Sequence, residues 1–119
     1  MKSSIKHNLL YGKSMKTVSN DAKLLYLNAY EVADAAGLFD VTFALDAYNL
    51  PLTALLELVE ANLLLYFEDE NVAAITHWNL IVNKNQRNKG TLFPEVKSRL
   101  AIRNGKYSIR DEGDYSVAM

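Results

Sequence analysis

Cysteine is absent from this sequence of 119 residues, which excludes a disulfide framework and any thiolate metal site and leaves no tie to an oxidising compartment. Proline occurs twice and glycine five times, at scattered positions, so no linker, internal repeat or low-complexity tract marks a domain boundary. Apolar runs are short and interrupted by Asp, Glu and Asn, far below the ~20 residues a transmembrane helix needs. The opening Met1-Lys2-Ser3-Ser4-Ile5-Lys6-His7 has none of the apolar stretch of a secretory signal. These absences predict a cytoplasmic protein with no membrane partner. One further absence is local: Lys and Arg are missing from Leu24 to Asn83.

That gap divides the charge sharply. Met1–Lys23 holds five cations and one acid, Leu24–Asn83 nine acids, Lys84–Arg110 eight cations and one acid, and Asp111–Met119 three acids. The net charge of −1 therefore conceals a strongly acidic middle followed by a strongly basic segment. Charge distribution governs association rather than fold, so one surface is expected to attract polyanions and another to repel them. With half of its residues apolar, the chain has enough material for one core, assigned to residues 1–110, with a frayed tail at 111–119.

Ser19 before Asn20-Asp21-Ala22 is a helix start, because its hydroxyl can accept from free backbone N–H groups and Asp21 suits the positive helix end. Leu25, Ala29, Val32, Ala33 and Ala36 recur at helical spacing, predicting a helix from Asn20 to Ala36 that ends at Gly37. A shorter helix is expected over Thr42–Tyr48, with Phe43, Ala47 and Tyr48 on one side. Pro51 then opens a third, whose apolar face reads as Leu52, Leu55, Leu56 and Val59, with Asn62 as its cap. Two apolar runs, Leu63–Phe67 and Val72–Thr76, flank the acidic turn Glu68-Asp69-Glu70-Asn71 and read as a β-hairpin.

Three helices followed by a hairpin is the order of an α+β winged helix-turn-helix, a three-helix core with a β-hairpin wing. Past Trp78, the polar stretch Asn83–Gly90 reads as an exposed loop. A short helix follows over Pro94–Leu100, with Val96 and Leu100 inward and Lys97 and Arg99 outward. Ala101-Ile102-Arg103 and Lys106–Ile109 then flank Asn104-Gly105, a strong hairpin signal because both residues tolerate positive φ. The short helix and this hairpin form a C-terminal extension.

Several stretches, taken in order, resemble the N-terminal domain of phage replisome organisers and the related DnaD-like replication-initiation proteins. They are Leu24-Leu25-Tyr26, Ala33-Asp34 before Gly37-Leu38, Leu55-Leu56-Glu57-Leu58 and Ile75-Thr76-His77-Trp78-Asn79. The likeness continues through Asn83-Lys84, Arg87, Thr91, Glu95–Leu100 and Asn104-Gly105-Lys106-Tyr107, so that it covers Ser19 to Ile109. The resemblance implies a winged-helix protein of phage or prophage DNA replication in a bacterial host cell. It further implies self-association into a homo-oligomer, remodelling of origin DNA, and contact with the replicative helicase or its loader.

The acidic middle redirects where DNA would be met. The helix Leu52–Ala61 occupies the recognition position, yet its outward residues read as Thr53, Glu57 and Glu60. Base edges are usually read by Arg, Lys, Asn or Gln, and phosphates attract cations, so this face is assigned to a protein interface. The candidate DNA surface is instead Lys84, Arg87 and Lys89 in the polar loop, together with Lys97, Arg99, Arg103 and Lys106. Contacts from these residues neutralise phosphates without reading sequence and are therefore salt-sensitive. A solvated charged face is the competing reading of the same residues.

His77-Trp78 is read as core packing by Trp78 and a capping or hydrogen-bonding role for His77. Tyr11, Tyr26, Tyr30, Tyr48 and Tyr66 are assigned to core and interface positions. No metal set is visible, since His7 and His77 are the only histidines and no carboxylates accompany them at ligand spacing. A glycine-rich phosphate loop, a cysteine nucleophile and an activated Ser–His–acid arrangement are all missing, so the expectation is a non-enzyme with no cofactor and no small-molecule substrate. The leading expectation is a replisome-organiser-like protein that binds DNA non-specifically. Its rival is a protein-interaction module on the same scaffold, such as a small phage inhibitor or adaptor of a host protein, without DNA binding. A sequence-specific repressor ranks third because of the acidic helix.

Overall fold

Ser19 begins the first helix as its sequence predicts, its hydroxyl accepting from Ala22 N at 3.2 Å. A computed structural model describes residues 18–81 and 90–110, and helix α1 spans Asn20–Val32. It stops four residues before the expected end at Ala36. Asp34 is the cause: its Oδ1 accepts from Ala36 N at 2.9 Å and Leu38 N at 3.1 Å, offering the backbone an alternative to helical bonds. Gly37, at φ +85°, therefore does not end a helix but leads into strand β1, Leu38–Asp40, and its carbonyl accepts from Ile75 N at 2.9 Å.

Asp40 caps the next helix, α2 (Val41–Asp46), by accepting from Phe43 N at 2.9 Å. Its inward residues are Val41 and Ala44, whereas Phe43 and Tyr48 face solvent. After Asn49 at φ +54° and Pro51, helix α3 runs Leu52–Glu60 and buries Ala54, Leu55 and Leu58. The expected apolar face is thus rotated: Leu55 is inside, but Leu52 and Leu56 stand half-exposed. Asn62 ends the helix at φ +62°, a conformation Asn tolerates better than other residues with a Cβ.

Strands β2 (Leu64–Phe67) and β3 (Val72–Ile75) form the predicted hairpin, and β1 adds to β3 to give an antiparallel sheet of order β1-β3-β2. Leu38 lies opposite Ala74, and Leu65 lies opposite Ala74 from the other side, so β3 is central and buried at every position. The core joins Leu25 and Tyr26 of α1, Leu55 and Leu58 of α3, and Phe39, Leu64 and Ile75 of the sheet. Tyr26 and Tyr30 share a hydroxyl–hydroxyl hydrogen bond of 3.0 Å. Burial pushes the Tyr26 hydroxyl up to about 12 and raises that of Tyr30 as well.

Trp78 opens a short helix, α4 (Trp78–Ile81). Its indole Nε1 donates to Ala35 O at 3.0 Å and its ring stacks on Tyr30 at 6.0 Å, in keeping with a packing role. Helix α5 occupies Pro94–Lys97, shorter than expected because Leu100 already belongs to strand β4 (Leu100–Arg103). Val96 and Leu100 nevertheless point inward as predicted. Strand β5 (Lys106–Ile109) pairs antiparallel with β4 through Asn104 and Gly105, at φ +55° and +80°. Tyr107 and Asp34 help tie this extension to the rest. Tyr107 N donates to Thr76 O at 2.8 Å and its hydroxyl to Ala36 O at 2.7 Å, while Asp34 Oδ2 accepts from Thr91 Oγ1 and Leu92 N. The architecture is α+β, with small antiparallel sheets and a helical layer.

Candidate nucleic-acid interface

The Asn104-Gly105 turn sets the geometry of the candidate surface. Its two-residue connection makes Arg103 and Lys106 direct cross-strand partners, so both exposed side chains emerge on one face at the hairpin tip. Two cations on one face of a hairpin tip raise the local positive potential there. Lys97, half-buried on α5, lies on the same extension.

Arg99 is placed differently. Its Nη1 reaches Asp69 Oδ1 at 3.1 Å and Oδ2 at 2.9 Å, and its guanidinium lies 4.7 Å from the centre of the Phe67 ring. It is therefore an intrachain clasp between the extension and the acidic β2–β3 turn, and its hydrogen bond lowers the Asp69 carboxyl. Lys84, Arg87 and Lys89 lie outside the described residues.

On α3 the three residues assigned to a protein interface also separate. Thr53 and Glu60 are exposed. Glu57 instead accepts from Ser19 Oγ at 2.7 Å and Ser19 N at 2.8 Å, fastening the start of α1 to α3, and these bonds lower its carboxyl from the usual value. What accompanies Thr53 and Glu60 is apolar: Leu52 is 50% and Leu56 47% exposed. The sequence pattern concealed this because both leucines fit a helical core spacing equally well.

His77 lies within the electrostatic reach of Lys106. Its Nδ1 has no hydrogen-bond partner. Burial, and secondarily the charge of Lys106, lower its pKa from 6.5. The folded state thus favours neutral His77, whereas the unfolded chain takes up its proton near the ordinary value, so stability is full above about pH 6.5 and declines as the pH falls through the folded value. Urea unfolding at pH 7.5 and 5.5 should show lower stability at the acid pH, and His77→Gln should reduce that difference.

Among the described residues no three His, Asp or Glu side chains group to hold a metal ion, and no helix is long and apolar enough to cross a membrane. Comparison of the chain with protein-family models, curated proteins and solved structures returns no match.

Proposed function

We propose that this chain is a winged-helix protein of phage or prophage DNA replication, akin to replisome organisers, that binds DNA non-specifically through its C-terminal extension. The fold reading is supported by the order α1-β1-α2-α3-β2-β3 with β1 laid against β3, which is how a winged helix completes its sheet. The DNA reading rests on one observation above all: Arg103 stands directly opposite Lys106 at an exposed hairpin tip. With Lys97, the tip supplies phosphate contacts without a base-reading helix, and the sequence adds the cations Lys84, Arg87 and Lys89. Cytoplasmic action beside the helicase or its loader follows from the same family resemblance.

The acidic helical half is assigned to self-association. Leu27, Phe43, Tyr48, Leu52 and Leu56 are between 45% and 65% exposed within a stretch that has no Lys or Arg. These same residues favour the second reading, a protein-interaction module without DNA binding. The two readings part in an anisotropy titration with random duplex DNA. Arg103→Glu combined with Lys106→Glu should weaken binding at least about tenfold and make the salt slope shallower by about two, with the thermal melt retained. Undiminished DNA binding by that variant would remove the hairpin from the interface, and no binding by the unaltered protein would favour the second reading.

A further inference from the structure

The outer face of α3 and the groove beneath the β4–β5 hairpin both expose apolar side chains, and their charges are opposite. On α3, Leu52, Leu56 and Glu60 follow at four-residue spacing and so form one stripe along the helix, half-exposed leucines ending in an exposed carboxylate. No cation between Leu24 and Asn83 offsets that charge. The groove runs along β5 from Lys106 to Ile109, is bounded on its other side by Asn62 and Leu65, and lies open to solvent. Leu65 and Ile109, the latter 55% exposed, give it apolar surface, and Lys106 is exposed at its hairpin end. Residues 90–110 carry five cations against the single acid Glu95.

Two such surfaces on one chain constrain how copies of it meet. Laying two α3 stripes together joins acidic faces that hold no cation, and laying two grooves together brings Lys106 towards Lys106, so either pairing sets like charge against like. Stripe against groove sets opposite charges together.

We infer that Leu52 and Leu56 of one copy seat against Leu65 and Ile109 of a second copy, with Glu60 of the first paired to Lys106 of the second. The inference rests on the self-association reading and narrows it to a contact between unlike surfaces. An open groove suits this occupant, because a helix ridge enters from the side and needs no enclosed pocket. Lys106 cannot serve a neighbour and a phosphate at once, so assembly and DNA compete for the hairpin.

Sedimentation equilibrium of the protein without nucleic acid tests the pairing, with Glu60→Lys, Lys106→Glu and the two combined in one chain. Both side chains are exposed, so every variant should keep its thermal melt. Each single reversal places like charges in the contact and should weaken association at least about tenfold. The combined variant restores opposite charges and should return to within about threefold of the unaltered protein. Association unchanged by Lys106→Glu, or strengthened by Glu60→Lys as a contact between two α3 stripes requires, would overturn the inference and leave self-association standing. Failure of the combined variant to recover would overturn it too, since Glu60 and Lys106 would then not meet. A strict monomer across micromolar concentrations would remove the self-association reading together with the inference and leave the α3 stripe to a different protein.

Discussion

Gly37→Ala should destabilise the protein by about 2–5 kcal/mol, combining the strain of a left-handed alanine with overpacking against a fixed ring. Gly37 sits at φ +85°, and a Cβ there would lie 2.4 Å from Trp78 Cγ, 2.7 Å from Cδ2 and 2.8 Å from Cβ. The indole has little room to yield, because its Nε1 is bonded to Ala35 O and its ring lies against Tyr30. Relief must come from moving β1 or α4. Trp78 is the only tryptophan, so its fluorescence during urea unfolding reports both the loss of stability and the displacement of the ring. A loss below about 0.5 kcal/mol would mean that the Gly37–Trp78 approach does not constrain the fold.

Asp34→Ala should be comparably damaging, at about 3–5 kcal/mol, because it removes four hydrogen bonds to one carboxylate. Oδ1 holds the turn into β1 through Ala36 N and Leu38 N, and Oδ2 holds the extension through Thr91 Oγ1 and Leu92 N. The loss should be uneven. Hydrogen exchange at the amides of Leu92 and Tyr107 should accelerate more than at Leu25 and Leu55, because the extension loses an anchor while the helical core keeps its packing. Asp34→Asn should lie between the two proteins, since it retains one carbonyl acceptor. Uniform acceleration throughout would show that Asp34 supports the whole domain instead of the junction.

The contrast between these residues and the readable ones explains what the sequence disclosed. Ser19, Pro94 and Asn104-Gly105 act through neighbours a few residues away, so the α1 start, the α5 start and the β4–β5 turn were legible from local chemistry. Strand β1 was missed because three residues carry no periodicity, and it becomes a strand only through pairing with β3. The face of α3 was ambiguous because leucines at positions 52, 55, 56 and 58 offer more apolar surface than one side of a helix can bury.

The candidate site follows the same division. Arg103 and Lys106 could be placed together because the turn between them has a known length. That Arg99 meets Asp69, that Glu57 meets Ser19, and that Thr76 and Ser108 line one groove all depend on contacts between residues at least 30 positions apart. No local pattern encodes such meetings. They nevertheless redistribute the charge reading, since Arg99 clasps the acidic turn.

The most direct measurement is therefore the affinity of the unaltered protein for random duplex DNA as a function of salt. Three phosphate contacts, from Lys97, Arg103 and Lys106, give a log–log slope of about −2.7, which weakens binding roughly 40-fold between about 50 and about 200 mM salt; contacts from Lys84, Arg87 and Lys89 would steepen it. Absence of binding at the lower salt, or an affinity indifferent to salt, would contradict the assignment of this surface to DNA.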